Sequence, residues 1–283
     1  MNDSEQIDGG GQTALWNGCA GQGLVAMQDL IDRLYRPFED LLVDDVAKVS
    51  RGAVLDVGCG TGGTTVAVAR RLGLDSRCTG VDISEPMIAS ARARVERDGT
   101  RARFIRADAQ DHAFEPAGVD TITSRFGVMF FADPVRAFAN LRRAATGDAA
   151  LRCVAWRGAE ANPFMTAAEQ AAAPLLPNLP PRRAGEPGQF AFADERRVRR
   201  ILEDGGWTDV DIRPLDVECT LPEADLIAYL TRLGPVGRIL QEADAETRAR
   251  VIDAIRPAFD PYVRGADVRF TAACWMLEAR SGR

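Results

Sequence analysis

Three glycines and three acids in this chain stand where they could hold a nucleotide-like ligand. Gly58, Gly60 and Gly63 follow the apolar run Ala53-Val54-Leu55-Asp56-Val57 and precede Thr64 to Leu72, whose apolar residues recur at helical spacing. Glycine is needed where the backbone takes positive φ or comes within contact distance of a ligand, because a Cβ would clash. A helix N-terminus behind such a turn points free N–H groups at whatever occupies it. Asp82 lies about 20 residues further on, the place of the ribose-binding acid of a dinucleotide site, so a nicotinamide cofactor fits the spacing. Other features point away from it. Asp56 sits inside the strand, where a dinucleotide fold carries an apolar residue; Val81-Asp82-Ile83-Ser84 reads as a strand-end acid followed by a helix cap; and Asp108 ends the next apolar run, Arg103 to Ala107.

The elements that must position these residues alternate. Strands are expected at Ala53–Val57, Cys78–Asp82, Arg103–Ala107, Val119–Ser124 and Ala149–Trp156, with helices at Thr64–Leu72, Glu85–Arg97 and from Asp133-Pro134 to about Arg143. Such alternation gives a parallel sheet covered on both faces, with ligands bound outside the carboxyl ends of the strands. Before it, Met1 to Gln12 reads as a flexible tail, and Met27 to Val49 as two helices divided at Pro37. After it come a helix near Phe164–Ala173, a proline-rich segment to Asp194, a helix to Gly205, and strands at Val210–Val217 and Val268–Leu277. Between those strands, Pro222–Gly265 carries helical segments at Leu226–Leu233 and Ala245–Phe259, large enough to form a cap.

This pattern resembles the class I S-adenosylmethionine-dependent methyltransferases, of the bacterial small-molecule, ubiquinone-biosynthesis-like type. The likeness rests on Leu55-Asp56-Val57-Gly58-Cys59-Gly60-Thr61-Gly62, on Asp82, on Asp108-Ala109 and on Ser124-Arg125-Phe126-Gly127-Val128-Met129-Phe130-Phe131-Ala132-Asp133-Pro134. It runs from about Trp16 to Trp156. It implies an α/β, Rossmann-like doubly wound fold: a mostly parallel seven-stranded sheet with an antiparallel last strand, N-terminal helices and a helical cap insertion. It divides the chain into a tail and cofactor-covering helices (1–50), a cofactor-binding core (51–157), a substrate loop and helix (158–194), and the rest of the sheet with its insertion at about 222–265 (195–283).

The resemblance also implies the cofactor, S-adenosylmethionine, with S-adenosylhomocysteine as product. Residues expected around it are Trp16, Asp56, Gly58, Cys59, Gly60, Gly62, Asp82, Ile83, Met87, Asp108, Ala109, Ser124 and Phe126. Asp82 matches the ribose position, and Asp108 with Ala109 the adenine side. Asp56 either reaches the cofactor's amino group through water or only fixes the turn. Met129, Trp156, Phe164 and Phe190 are expected to wall an apolar acceptor. His112, the one histidine, is the only side chain whose unperturbed pKa suits proton transfer near neutrality, and is the candidate base for a hydroxyl acceptor.

Composition excludes other classes. A net charge of −6 argues against a nucleic-acid surface. The six cysteines form no C-x-x-C pair, so neither a metal site nor a disulfide framework is indicated, and reduced thiols fit a cytoplasm. No signal peptide and no apolar run of membrane-spanning length are seen. The expected activity is methyl transfer to a small-molecule O, N, S or C nucleophile; a homodimer is compatible with it. The competing readings are an NAD(P)-dependent oxidoreductase, which lacks a Tyr-x-x-x-Lys pair, and a methyltransferase-like binding module without turnover.

Overall fold

The computed structural model describes residues 9–183 and 185–282; most of the expected N-terminal tail, residues 1–8, lies outside them. Gly9 to Gln12, expected in that tail, instead open the helix α1 (Gly9–Asn17). Three more helices follow before the sheet: α2 (Cys19–Ala26), α3 (Gln28–Leu34) and α4 (Arg36–Val49). Pro37 stands in the first turn of α4, where its missing N–H costs nothing, and the break falls at Tyr35.

The alternating core is β1 (Ala53–Val57), α5 (Gly63–Leu72), β2 (Arg77–Asp82), α6 (Glu85–Asp98), β3 (Arg103–Arg106), β4 (Val119–Arg125), α7 (Pro134–Ala144) and β5 (Ala145–Trp156). Caps set the entry of its helices: Ser84 Oγ accepts from Met87 N on α6, and Asp133 from Arg136 N on α7. Beyond lie α8 (Pro163–Ala172), α9 (Glu195–Asp204), β6 (Thr208–Pro222), α10 (Leu226–Arg232), α11 (Gly234–Glu242), α12 (Ala245–Ile255), the two-residue β7 (Val263–Arg264) and β8 (Asp267–Arg280). β6 runs on past its expected end at Val217, because it stays paired with β8 from Glu218↔Thr271 to Pro222↔Asp267.

Sheet order is β3-β2-β1-β4-β5-β8-β6, with β7 pairing with β8. The pairs from β3 to β5 are parallel, and β8 runs antiparallel to both β5 and β6. The strand order reverses beside β1 and β4, so the carboxyl ends of β1, β2, β3 and β4 face one shared crevice. Leu55, Val57, Val81, Ile122, Leu151 and Val154 pack the centre of the sheet, each almost fully buried.

Candidate functional site

A cavity of about 250 Å³ opens at that crevice. Its floor is the turn after β1. Gly58, Gly60 and Gly62 take φ of +66°, +55° and +82°, conformations that a side chain would strain. A Cβ on Gly58 would lie 2.6 Å from Gly127 Cα, so the turn and the segment after β4 touch backbone to backbone. Gly127 N donates to Ser124 Oγ at 3.1 Å, and that hydroxyl donates to Val57 O at 2.7 Å. Ser124 is thus the fastener under the floor and not part of the lining.

Asp82 ends β2 and joins the turn to α6: Oδ2 accepts from Gly60 N at 2.9 Å and Oδ1 from Ser84 N at 2.9 Å. Each oxygen keeps a further lone pair, and the carboxylate lines the cavity. Burial raises its pKa, opposed by the hydrogen bonds from Ser84 and Gly60. Asp56, only 2% exposed, accepts from Thr65 Oγ1 at 2.6 Å, and burial lifts its pKa to about 7. Asp108 accepts from Gln110 N at 2.9 Å and stands beside Ala109 on the β3 side.

The far wall comes from the N-terminal helices, through Gln12, Trp16, Leu24, Gln28, Ile31, Asp32 and Tyr35. Their docking is specific. Ser84 Oγ donates to Trp16 O at 2.6 Å, Asn17 Oδ1 accepts from Glu85 N at 2.8 Å and so caps α6 from a distant part of the chain, and Trp16 packs edge-on against Phe130. Asp32 pairs with Arg94 at 2.6 Å, both about 15% exposed, clamping α3 to α6. At the start of α5 the space a Gly63 Cβ would take is met by Asp32 Oδ1 at 3.0 Å and Glu39 Oε2 at 3.1 Å. Carboxylates from α3 and α4 therefore face this helix N-terminus, as the helix dipole favours.

Of the cofactor residues named from the sequence, Trp16, Asp56, Gly58, Cys59, Gly60, Asp82, Ile83, Met87, Asp108, Ala109 and Phe126 all line the cavity. Gly62 does not; it is packed beneath the turn against Phe104 and Ala91. The acceptor residues are not brought there. Trp156 is stacked behind Phe126 with centroids 4.7 Å apart, Met129 is buried with its sulfur accepting from Trp156 N, Phe164 is stacked on Phe270 at 3.8 Å, and Phe190 lies under Arg182. His112 also stands off the cavity, edge-on to Phe114, in the segment that follows β3. Sequence reasoning passed over Tyr35, Asp32 and Arg125. Nothing in a helical apolar pattern marks Tyr35 as lining rather than core, and Arg125 was read only as part of a motif.

Among the described residues no cluster of histidine, cysteine or acid could hold a metal ion, and no helix is long and apolar enough to cross a membrane. Residues 54–147 match the methyltransferase domain family model. A demethylmenaquinone methyltransferase of Thermus thermophilus is 32% identical over 120 residues, which are 41% of this chain and 54% of that protein. A nocamycin O-methyltransferase of Saccharothrix syringae is 32% identical over 100 residues, 35% of this chain and 36% of that protein. The chain thus spans about half or less of the length of these relatives. The crystal structure of the YcgJ protein of Bacillus subtilis superposes with a TM-score of 0.56 at 16% identity, over 87% of this chain and 98% of that one, which shows the shared fold. Over residues 54–147 the chain is thus similar to the methyltransferase domain family, and the sheet around that stretch has the fold of the solved neighbour.

Proposed function

We propose that this protein transfers a methyl group from S-adenosylmethionine to a small-molecule acceptor by in-line displacement. The observation that carries the proposal is the charge of the cavity. Asp32, Asp56, Asp82 and Asp108 line it, and Asp32 and Glu39 stand at the α5 N-terminus. A dinucleotide would bring its pyrophosphate to that terminus, against two carboxylates. A sulfonium cofactor with an ammonium group is the complementary ligand. When bound, it supplies a methyl group already activated for transfer.

The chain's own residues then bind, orient and exclude water. Asp82 offers its remaining lone pairs to a pair of ribose hydroxyls. Asp108, Ala109 and Phe130, all in the lining, would take the flat ring, and Phe126 and Tyr35 would offer aromatic surface to the tail end. Holding acceptor and cofactor in line is worth up to ~7–11 kcal/mol of barrier, so little covalent chemistry is asked of the protein. The lining contains no histidine, so a hydroxyl acceptor would arrive ionised or lose its proton to water. The aromatic wall favours an apolar acceptor, as the relatives' names, a demethylmenaquinone and a nocamycin methyltransferase, also suggest. Nucleic acid is outside this reading, on net charge, and the cytoplasm is its expected setting.

Titration calorimetry with S-adenosylmethionine, S-adenosylhomocysteine and NAD tests the cofactor; tight binding of NAD alone would overturn it. A screen of candidate metabolites with methyl-labelled cofactor tests turnover. Cofactor binding without any labelled product across such a screen would favour a binding module.

A further inference from the structure

Among the described non-glycine residues at positive φ, Phe126 is the one large side chain and the one that lines the cavity; its φ is +65°. A bulky residue is strained there by its Cβ, and such strain persists only where the surroundings over-determine it. Here they do. Phe126 N donates to Val154 O of β5 at 2.9 Å, and the next residue, Gly127, is pressed against Gly58. The ring held in this way has Trp156 stacked behind it, with planes 13° apart, and meets Phe38 and Tyr35 edge-on at 5.1 and 5.4 Å.

Tyr35 lines the cavity beside it, and its hydroxyl is hydrogen-bonded to that of Tyr229 on α10. The Tyr229 hydroxyl in turn donates to Met165 Sδ at 3.8 Å. Burial holds both phenols above their ordinary range, so both stay protonated. A thioether is a weak acceptor, so Tyr229 can turn its proton to the Tyr35 oxygen at little cost, which releases the Tyr35 proton for a ligand. Arg125, by contrast, already faces the carboxylates of Asp56 and Glu39. A nucleoside with its base near Asp108 and its ribose at Asp82 sends its tail to β1, and β4 is the next strand. An acceptor meeting that tail at β4 finds an aromatic surface and one neutral hydroxyl. No histidine lines the cavity, so the acceptor has to bring its electron pair ionised, and a conjugated ring spreads that charge enough to enter an aromatic pocket. Resting on the cofactor reading above, we propose that Phe126 and Tyr35 form the acceptor subsite. It takes a planar ring carrying an oxyanion, a phenolate or an enolate, with the ring against Phe126 and the oxygen at the Tyr35 hydroxyl. Tyr229 is the positioning residue behind it.

The test is the ratio of two affinities, measured by calorimetry on the full chain saturated with S-adenosylhomocysteine. The probes are 4-nitrophenol, at a pH where it is ionised, and nitrobenzene, the same ring without the oxygen. Tyr35→Phe should weaken the first by roughly tenfold, as expected for a lost hydrogen bond to a charged group, and leave the second within about twofold. Tyr229→Phe should shift the ratio the same way by less, and it is the variant to rely on should Tyr35→Phe not fold. Phe126→Leu should weaken both probes alike. An unchanged ratio in the two tyrosine variants would overturn the proposal, and so would unchanged affinities in Phe126→Leu or a parent complex that takes up neither probe. If the parent does not bind S-adenosylhomocysteine, the cofactor reading itself fails; if it does and the probes do not discriminate, only this proposal does.

Discussion

Asp56 carries a pH signature that the turn motif alone does not contain. Its carboxyl is raised from the ordinary 3.8 to about 7, first by burial, against the bond from Thr65 and the charge of Arg125, with Asp82 and Glu39 adding to the rise. The unfolded chain would release that proton near the ordinary value, so between those pKa values the folded chain holds more protons. Stability contributed at this position therefore falls as pH rises from about 4 to about 7 and stays low above it. Asp56→Asn keeps an acceptor for Thr65 and removes the charge. Denaturation at pH 8 should find the variant more stable than the parent, with the gap closing by pH 4. A cationic cofactor favours the ionised form, so parent affinity for S-adenosylmethionine should rise through pH 7 and the variant's should not. At Asp82 the expectation is plainer. Asp82→Ala should cost on the order of 2–4 kcal/mol of cofactor binding in calorimetry, and binding within about twofold of the parent would refute its ribose role. Asp82 was legible as a lining acid because an acid at a strand end beyond a glycine turn has few other reasons to be there, whereas Asp56, inside β1 and ahead of the turn, was open to a cofactor-facing or a turn-fixing reading. Arg125 was not, because it stood inside the segment after β4 and nothing in its type or spacing set it apart as cavity lining.

At the level of elements, the glycines of the site are not equivalent. Gly127 and Gly58 press together: a Cβ on Gly127 would lie 2.7 Å from Gly58 Cα and 2.5 Å from Val57 O. Neither backbone can retreat without moving β1 or β4, so Gly127→Ala should destabilise the fold by about 1–3 kcal/mol and weaken cofactor binding with it. Gly60 differs. Its Cβ would meet only Met87 Sδ at 3.8 Å, so Gly60→Ala carries just the left-handed strain of about 1–2 kcal/mol. Thermal melts of the two variants are read beside their affinity for S-adenosylhomocysteine; a Gly127→Ala protein as stable as the parent would refute the close approach. The β/α alternation was readable because period and caps agreed. α1 and α2 were not, since Gly9, Gly10, Gly11, Gly18, Gly21 and Gly23 lower helix propensity by nearly 1 kcal/mol each. Tertiary contact reverses that preference: Gly23 lies against Arg232 O, and Asn17 and Trp16 bond to the start of α6. α11 was missed for a similar reason, because Gly234-Pro235 reads as a turn but opens a helix with proline in its first turn.

Across the whole molecule, the expected lid and the observed wall are different parts of the chain. The insertion between β6 and β8, and the proline-rich segment before α9, were expected to close over the acceptor. Neither contributes a residue to the cavity lining, whose outer wall is α1 to α3. The insertion is cemented elsewhere: Phe164 of α8 stacks on Phe270 of β8 and meets Phe259 and Tyr262 edge-on. Phe164→Ala should therefore cost about 3–5 kcal/mol of stability while leaving S-adenosylhomocysteine affinity unchanged in the folded protein. The insertion still reaches the site at one remove, because Gly23 of α2 rests on the end of α10, and Arg232 there approaches Met27. Opening the cavity then means lifting α1 to α3, whose hold is the Asp32–Arg94 pair and a few bonds to α6, while the aromatic cluster of the insertion stays packed. Hydrogen exchange separates the two mechanisms. With S-adenosylhomocysteine, amides of the glycine turn and of α1 to α3 should slow, while those of α12 and the Phe164 cluster should keep their ligand-free rates. Adding an acceptor should slow α2 and α3 further. If instead α10 to α12 slow on acceptor binding and α1 to α3 do not respond to either ligand, the insertion is the gate and the N-terminal helices are a fixed wall.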